Sequence, residues 1–96
     1  MRVDFHPDAQ AELEAAAQYY ESRRPGLGAR FIEAVEEAAA RIAASPGMWR
    51  AIDEDVRRCL TRVFPYGVLY VLEPDSILIV AIAHLAREPG YWKPRL

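Results

Sequence analysis

The apolar positions of this chain repeat at two different spacings, which divide it into a helical first half and a strand-forming second half. Apolar residues in the first half recur every three or four positions, as in helices that bury one side. Farther along they alternate or form short unbroken runs, which indicates strands. The predicted elements are a strand at Arg2–His6, a helix from Pro7, a helix from about Leu27 to Ala44, and strands at Val56–Phe64, Val68–Glu73 and Ile77–Ala83.

The first helix is predicted to carry apolar and polar residues on opposite sides. Pro7 suits its first turn, with His6 or Asp8 at the cap. The inner side is expected to hold Leu13, Ala16, Ala17 and Tyr20, and the outer side Glu12, Glu14, Gln18 and Glu21. The segment Arg23-Arg24-Pro25-Gly26 then ends the helix and turns the chain.

The second helix is predicted to pack antiparallel to the first, because the linker between them is short. Its apolar stripe consists of Leu27, Phe31, Ala34, Val35, Ala38 and Ile42. On the outer side, Glu33, Glu37 and Arg41 are spaced for acid–base pairs one turn apart. The segment Ser45-Pro46-Gly47 ends the helix, and residues 48–55 are predicted to form a connecting loop.

Three strands are expected to follow, joined by short turns and therefore antiparallel. In the first of them Arg58 and Arg62 share one face, while Arg57 on the other face is predicted to pair with a helix carboxylate. The last strand, Ile77–Ala83, is continuously apolar, which predicts a central position with both faces covered. The order of elements predicts an α+β fold, with an N-terminal strand and an α-helical hairpin packed on a twisted, mostly antiparallel sheet.

The composition is typical of one folded domain spanning residues 1–96. Apolar residues make up 52% of the chain and charged residues 27%, which argues against disorder. No apolar run is long enough to span a bilayer, and the N-terminus has no signal-peptide pattern. The lone Cys59 cannot form an internal disulfide, so a cytoplasmic location is expected. No cluster of Cys and His residues predicts a metal, and no cofactor is expected.

The net charge of −2 hides an uneven distribution. Residues 1–54 carry ten acidic and six basic side chains, a balance of −4, whereas residues 55–96 carry four acidic and six basic ones, a balance of +2. The C-terminal part is therefore expected to present a local cationic surface. Eleven of the twelve cations are Arg, whose planar guanidinium suits bidentate contacts to carboxylate or phosphate. A generally Arg-rich composition would give the same count.

A series of short motifs in a fixed order runs through nearly the whole chain. They are Tyr19-Tyr20-Glu21, Pro25-Gly26-Leu27-Gly28-Ala29-Arg30-Phe31, Ser45-Pro46, Val56-Arg57-Arg58, Phe64-Pro65-Tyr66 with Tyr70, and Ala83-His84 with Arg87, Pro89, Tyr91 and Trp92. In these motifs the chain resembles the RelE/ParE superfamily, the small toxins of bacterial type II toxin–antitoxin pairs. The resemblance implies a cognate antitoxin, ParD-like or similar, that lays an amphipathic segment in an apolar groove between the helix hairpin and the sheet.

Within this superfamily the chain is more similar to the ParE branch than to the RelE branch. Its Phe64-Pro65-Tyr66 step and its long Ala-rich helix hairpin resemble ParE-like chains known as plasmid stabilisation proteins, which implies DNA gyrase as the target. Members of the RelE branch instead cleave messenger RNA on the ribosome. They are known to carry a key Arg just after the aromatic residue of the turn, where this chain has Gly67. One phosphate clamp expected of the nuclease is therefore missing.

Two sets of candidate site residues follow from this resemblance. RNA cleavage by a 2′-hydroxyl needs a proton acceptor, a proton donor and cations around the phosphorane. If the protein is a ribonuclease, the residues available for these roles are Arg58, Arg62, His84, Arg87 and Tyr91. The favoured interpretation is a binding surface without catalytic residues, in which the target or the antitoxin is contacted by Arg58, Arg62, Arg87, Tyr91 and Trp92.

The same residues also have structural interpretations that the sequence leaves open. Arg58 and Arg62 fit solvated charges near a sheet edge equally well. A His at the position of His84 is more often a hydrogen-bonded residue of the core or its rim, and Arg87 is a candidate partner for a nearby carboxylate. Trp92 is expected to cover the open end of the sheet. A toxin that no longer harms the cell and persists as an antitoxin partner is a third functional interpretation.

Overall fold

The five strands of the protein form one sheet, and both long helices pack on one side of it. In this computed structural model, which describes residues 1–96, the elements are β1 (Arg2–Phe5), α1 (Pro7–Arg23), α2 (Leu27–Ala44), β2 (Ala51–Asp53), β3 (Val56–Leu60), β4 (Tyr66–Leu72), β5 (Ser76–His84) and a short 3₁₀ helix (Lys93–Arg95). The strand order is β1-β5-β4-β3-β2, with β1 parallel to β5 and all other neighbours antiparallel. The predicted α+β fold is confirmed.

Helix α1 begins at Pro7 as predicted, and His6 is its N-cap. The Nδ1 atom of His6 accepts a hydrogen bond from the amide of Asp8 at 3.0 Å, which satisfies one of the free amides of the first turn. The side of α1 that faces the core buries Ala9, Leu13, Ala16 and Ala17. The predicted inner side of this helix is therefore correct, with Tyr20 half-buried at its end.

Two glutamates predicted to lie on the outer side of α1 make structural contacts. Glu21 accepts hydrogen bonds from the amides of Gly26 at 3.0 Å and Gly28 at 3.1 Å, and so caps the N-terminus of α2. Glu12 reaches the sheet and accepts a hydrogen bond from a backbone amide of β5. The prediction is wrong for Glu12, whose side chain is only 17% exposed because it reaches the sheet, whereas Glu21 remains exposed as predicted.

Helix α2 packs antiparallel to α1 and supplies much of the core, as predicted. Phe31, Val35, Ala38 and Ile42 are completely buried. On the outer side, Arg41 donates to Glu37 at 2.6 Å, one helical turn away. Neither helix is both long enough and apolar enough to cross a membrane.

Strand β5 lies in the sheet between β1 and β4, and both of its faces are covered, as its continuous apolar sequence predicts. The face that contacts the helices belongs to the main core and holds Ile77, Ile79 and Ile82. The opposite face belongs to a smaller core and holds Val80, Ala81 and Ala83 beneath Trp92. The sheet is therefore stabilised by burial on both sides.

The first predicted strand of the C-terminal half ends early. Strand β3 stops at Leu60 rather than at Phe64, because a tight loop follows in which the amide of Thr61 donates to the carbonyl oxygen of Tyr66. Arg62 therefore lies outside the strand, and the prediction that it shares a strand face with Arg58 is wrong.

Two further predictions for this part of the chain are wrong. Residues 48–55, predicted to be a connecting loop, include the edge strand β2, which is too short for its alternation to be recognised. Arg57 does not pair with a helix carboxylate. Its Nη1 atom donates to the carbonyl oxygen of Trp49 at 2.6 Å, so it fixes the loop that leads into β2.

Candidate functional site

A cleft of about 410 Å³, which we call the sheet cleft, opens on the face of the sheet opposite the helices. Its floor includes Leu69, Ala83 and Trp92, all members of the smaller core. Residues of β2 and β3 form one wall, and part of the C-terminal segment (residues 85–96) forms the other. An apolar floor with charged side chains on its walls is typical of a binding site.

An ion pair between α1 and the last turn of the chain holds the C-terminal segment in place. Arg95 donates to both carboxylate oxygens of Glu12, at 2.8 and 3.0 Å, and the hydroxyl of Tyr91 donates to Glu12 at 2.7 Å. The side chains of Arg95 and Glu12 are only 14% and 17% exposed. A bidentate pair in such partial burial constrains the segment more strongly than a surface pair.

The same ion pair satisfies backbone groups of β5. Strand β1 ends opposite Ile79, and the next residue, Val80, forms a bulge that β4 does not pair with. Arg95 donates to the carbonyl oxygen of Val80 at 3.0 Å, and Glu12 accepts from the amide of Ile82 at 3.0 Å. The two side chains therefore take the place of a neighbouring strand where β1 has ended.

This cluster shifts the acidity of two of its members. Burial raises the pKa of Glu12, but the hydrogen bonds from Arg95, Tyr91 and a backbone amide outweigh burial and leave the pKa below its ordinary value of 4.5. Burial and the neighbouring Glu12 carboxylate raise the pKa of Tyr91 above its ordinary value of 10.0. Near neutral pH, Glu12 is a carboxylate and Tyr91 is a neutral phenol.

A second contact closes the far end of the sheet cleft. Lys93 lies 3.2 Å from the carboxylate of Asp53, and so joins the 3₁₀ helix to the edge strand β2. Both side chains are well exposed, at 59% and 36%. An exposed ion pair contributes little to stability, so this contact shapes the mouth of the cleft more than it stabilises the fold.

Arg58 lies along the cleft side of the sheet because the neighbouring strand has no side chain at Gly67. A Cβ atom at Gly67 would come within 2.8 Å of the Cδ atom of Arg58. Position 67 itself carries no cation, but the side chain of Arg58 occupies the space above it. Arg58 forms no ion pair, so its guanidinium is available to a binding partner.

His84, the last residue of β5, is held in one orientation. Its Nδ1 atom accepts a hydrogen bond from the amide of Ala86 at 2.9 Å, and its ring packs edge-on against Tyr66 with 5.1 Å between ring centres. A neutral imidazole that accepts at Nδ1 carries its proton on Nε2. The free nitrogen of His84 is therefore a hydrogen-bond donor.

Arg87 stacks on an aromatic ring at the rim of the cleft. Its Cζ atom lies 3.8 Å from the ring centre of Tyr91, within the range of a cation–π interaction. Arg87 forms no ion pair, so the interpretation as the partner of a nearby carboxylate is wrong. With Arg58, it gives the sheet cleft two guanidinium groups that lack carboxylate partners.

The structure brings most of the predicted site residues together. The sheet cleft is lined by Arg58, His84, Arg87, Tyr91 and Trp92. Trp92 is 5% exposed and covers the sheet as predicted. Arg62 lies elsewhere, in the loop after β3, where its side chain is 73% exposed and 3.6 Å from Glu37 of α2.

Sequence reasoning missed the residues that hold the walls of the cleft in place. These are Glu12, Asp53, Lys93 and Arg95, together with Gly67 in its role of making room for Arg58. Glu12 and Arg95 are 83 positions apart, so no local spacing indicates their contact. No three His, Cys, Asp or Glu side chains lie together in a way that could hold a metal ion.

A shallower groove of about 300 Å³ lies between α1 and β5. Its apolar lining consists of Ala15, Ala16, Tyr19, Tyr66 and Ile82. His84 and Arg87 line both this groove and the sheet cleft, so the two concave surfaces meet at the end of β5. The groove has the location that the resemblance implies for an antitoxin segment, between the helix hairpin and the sheet.

The chain matches a family of known proteins over most of its length. The model of the ParE toxin of type II toxin–antitoxin systems, parDE, matches residues 3–89. The chain belongs to the ParE toxin family. The resemblance to the RelE/ParE superfamily is thereby confirmed, and the protein is a toxin of the type II toxin–antitoxin class.

A solved structure supports the fold of this ParE-family toxin. A chain of the chromosomal ParDE toxin–antitoxin system from P. aeruginosa matches it with a TM-score of 0.77 and 19% sequence identity, over 88% of this chain and 95% of that chain. At this identity the likeness shows the fold alone. No curated protein matches the chain.

Proposed function

We propose that this ParE-family toxin binds and inhibits DNA gyrase, and that a cognate antitoxin, ParD-like or similar, neutralises it by binding. The match to the ParE toxin family over residues 3–89 is the observation that carries the proposal. The sheet cleft supports it, because its charged groups are arranged for binding and not for proton transfer.

The sheet cleft has no side chain that is ready to act as the base of a ribonuclease. A base that takes the proton of a 2′-hydroxyl needs a free lone pair within reach of it. The free nitrogen of His84 carries a proton, and the hydroxyl of Tyr91 already donates to Glu12. Each group would have to break an existing hydrogen bond before it could act as a base, and the raised pKa of Tyr91 opposes its ionisation.

The cleft is better suited to an acidic protein surface. Arg58 and Arg87 stand on opposite walls without carboxylate partners, above the apolar floor near Trp92. Guanidinium groups form strong bidentate hydrogen bonds with carboxylates, and an apolar floor adds buried area to such a contact. In the proposed complex, acidic side chains of gyrase pair with these two arginines.

The groove between α1 and β5 is the proposed site of the antitoxin. Its apolar lining includes Tyr19, which is 52% exposed and therefore offers aromatic area to a partner. An amphipathic segment that lays its apolar side chains into this groove would reach His84 and Arg87 at its end. Because those residues also line the sheet cleft, antitoxin binding would interfere with binding of the target.

Supercoiling by purified gyrase tests the proposal. We expect micromolar toxin to inhibit supercoiling and the antitoxin encoded beside it to restore the activity. Arg58→Ala and Arg87→Ala should each weaken inhibition by about tenfold, as loss of an interface arginine typically does. Arg30→Ala removes an exposed guanidinium of α2, away from the cleft, and should leave inhibition unchanged. Unimpaired supercoiling at every toxin concentration, with normal growth on induction, would contradict the proposal.

The alternative function, ribosome-dependent cleavage of messenger RNA, gives a different result in cells. It rests on the presence of Arg58, His84 and Arg87 in one cleft. Induction would then cleave translated messages, and His84→Ala or Arg87→Ala would abolish cleavage while the protein remained folded. Cleavage that persists in both variants would exclude the sheet cleft as the catalytic site.

A further inference from the structure

The loop between β3 and β4 (residues 61–65), which we call the Val63 loop, carries an apolar side chain at its tip. Val63 is 88% exposed, the highest value among the large apolar residues of the chain. It is also the only residue other than glycine with a positive φ, at +73°. Both properties are unusual for valine, because exposure forfeits burial and a β-branched side chain crowds the backbone at positive φ.

A tight turn centred on Val63 produces this conformation. The amide of Phe64 donates to the carbonyl oxygen of Arg62 at 2.8 Å, which with the positive φ defines the rare and strained form of γ-turn. Glycine or asparagine would adopt the same backbone with less strain. Because folding would be served better by either residue, the strained valine points to a function outside the fold.

Anchors on both sides of the turn prevent Val63 from relaxing into the fold. The hydroxyl of Thr61 lies 2.9 Å from the carbonyl oxygen of Phe64 and 3.1 Å from that of Tyr66, and donates in their direction. The ring of Phe64 packs 4.9 Å from the ring of Tyr20 and 5.2 Å from the ring of Phe31 in α2. The Phe64-Pro65-Tyr66 motif therefore fixes the loop so that Val63 projects into solvent.

Val63 and two nearby exposed leucines, which we call the apolar knob, lie beside the cation of Arg62. Leu60 and Leu85 are 47% and 51% exposed at the same end of the sheet. The amide of Leu85 donates to the carbonyl oxygen of Pro65 at 2.9 Å, which brings this leucine next to the loop. Arg62 precedes Val63 and is 73% exposed.

A knob of this shape fits one kind of partner. A convex apolar tip gains burial only in a concave apolar pocket, and such a pocket must already exist in a folded protein. A flexible amphipathic segment, in contrast, lays its own side chains into a groove, for which the surface between α1 and β5 is suited. Arg62 lies 3.6 Å from Glu37, but its side chain is 73% exposed, so it could exchange this contact for an acidic group at the edge of the partner's pocket.

We propose that the Val63 loop is a second contact of this toxin with its protein target, in which Val63 enters an apolar pocket bordered by acidic side chains. The proposal rests on the proposed function, in which that target is DNA gyrase. Val63 lines neither the sheet cleft nor the groove proposed for the antitoxin.

Substitutions at position 63 separate binding from folding. Val63→Asn relieves the backbone strain and removes the apolar side chain, so the melting temperature should stay the same or rise while inhibition of supercoiling weakens by about tenfold or more. Val63→Ile keeps both the strain and an apolar side chain and should inhibit like the wild type. Leu72→Asn removes a 44% exposed leucine at the opposite end of β4 and serves as the control, with inhibition unchanged.

Four measurements on these variants test the proposal: supercoiling inhibition, growth arrest on induction, capture of the antitoxin encoded beside the toxin, and the melting temperature. We expect Val63→Asn to weaken supercoiling inhibition and growth arrest, and to capture the antitoxin like the wild type. Wild-type inhibition by Val63→Asn would overturn the loop proposal alone, as would a loss of antitoxin capture without a loss of inhibition. A lower melting temperature for Val63→Asn would assign Val63 a structural role and also overturn it.

Failure of the proposed function has a different signature. If the wild type arrests growth but does not inhibit gyrase, the gyrase assignment fails. The growth assay then decides the loop proposal: arrest by Val63→Asn equal to wild type overturns it, and loss of arrest supports it for another protein target. If the wild type neither arrests growth nor inhibits gyrase, both proposals fail together.

Discussion

The helix face of the sheet is closed by a large apolar core, whereas the cleft face is closed by a smaller core and by polar contacts of the C-terminal segment. Fourteen buried residues join the helices to the sheet, but only six form the core of the cleft face. The ion pair of Glu12 and Arg95 then fixes the segment that makes one wall of the cleft. A face held by a few directional contacts can keep charged side chains available for binding, which a fully apolar interface cannot.

Removing a core aromatic residue should break the helix face and have the largest effect. Phe31 is completely buried and packs 4.8 Å from the ring of Tyr66. Phe31→Ala should lower the free energy of unfolding by about 4 kcal/mol, measured by urea denaturation. Ile32→Ala, at the neighbouring and 37% exposed position, should change it by less than about 1 kcal/mol. Equal losses at the two positions would contradict the assignment of the core.

Removing Arg95 should loosen the C-terminal segment on the cleft face, with a smaller loss of stability than Phe31→Ala. Arg95→Ala leaves the half-buried Glu12 carboxylate without its main partner, so we expect a loss of about 2 kcal/mol. Hydrogen exchange should become faster in residues 85–96 and at the Ile82 amide, while the helices remain protected. Arg2→Ala removes an ion pair whose arginine is 70% exposed, and should cost less than about 0.5 kcal/mol. Unchanged exchange in the C-terminal segment would show that other contacts hold it.

The pH dependence of stability should come from the cleft face. The pKa of Glu12 is lowered in the folded state, so its contribution is present above its ordinary value of 4.5 and is lost as the pH falls below that value. The pKa of Tyr91 is raised, so its contribution is lost as the pH rises above 10.0. Melting temperatures measured across the pH range should fall at the acid end (the acid limb) and at the alkaline end (the alkaline limb). Glu12→Gln should flatten the acid limb and Tyr91→Phe the alkaline limb, and a profile unaffected by either change would contradict this assignment.

Adding a methyl group at Gly67 should displace Arg58 in the cleft and have the smallest effect on stability. Gly67→Ala places a Cβ where the side chain of Arg58 lies, and Arg58 can move away, so we expect a loss of about 1 kcal/mol or less. Inhibition of gyrase should fall to the level of Arg58→Ala, and the double variant should be no weaker than either single one. Additive losses would mean that Gly67 acts on the target independently of Arg58.

The two faces also differ in how far the sequence predicts them. Phe31, Val35 and Ile42 repeat at helical spacing, so the helix face follows from local pattern. The cleft residues could be identified by their chemistry, as with His84 and Arg87, but their assembly could not. It depends on the contact of Glu12 with Arg95, which joins the two ends of the chain and leaves no periodic signal.

Errors at the ends of elements have a similar physical origin. The alternation of residues 56–64 predicts one long strand, and only the hydrogen bonds of Thr61 end it at Leu60 and remove Arg62 from the site. Strand β2 has three residues, fewer than any alternation needs to be recognised. In the first place hydrogen bonds within the loop set the boundary, and in the second the pairing of β2 with β3 defines the strand.

We propose that this ParE-family toxin acts by binding gyrase and not by cleaving RNA. Primer-extension mapping of abundant transcripts after induced expression, with the supercoiling of a reporter plasmid measured in the same cultures, tests it most directly. We predict growth arrest with intact messages and a loss of plasmid supercoiling, and weaker forms of both effects in cells that express Arg87→Ala at the same level. Cleavage clustered inside translated reading frames, with normal plasmid supercoiling, would contradict the account and make His84 and Arg87 the residues to test for catalysis.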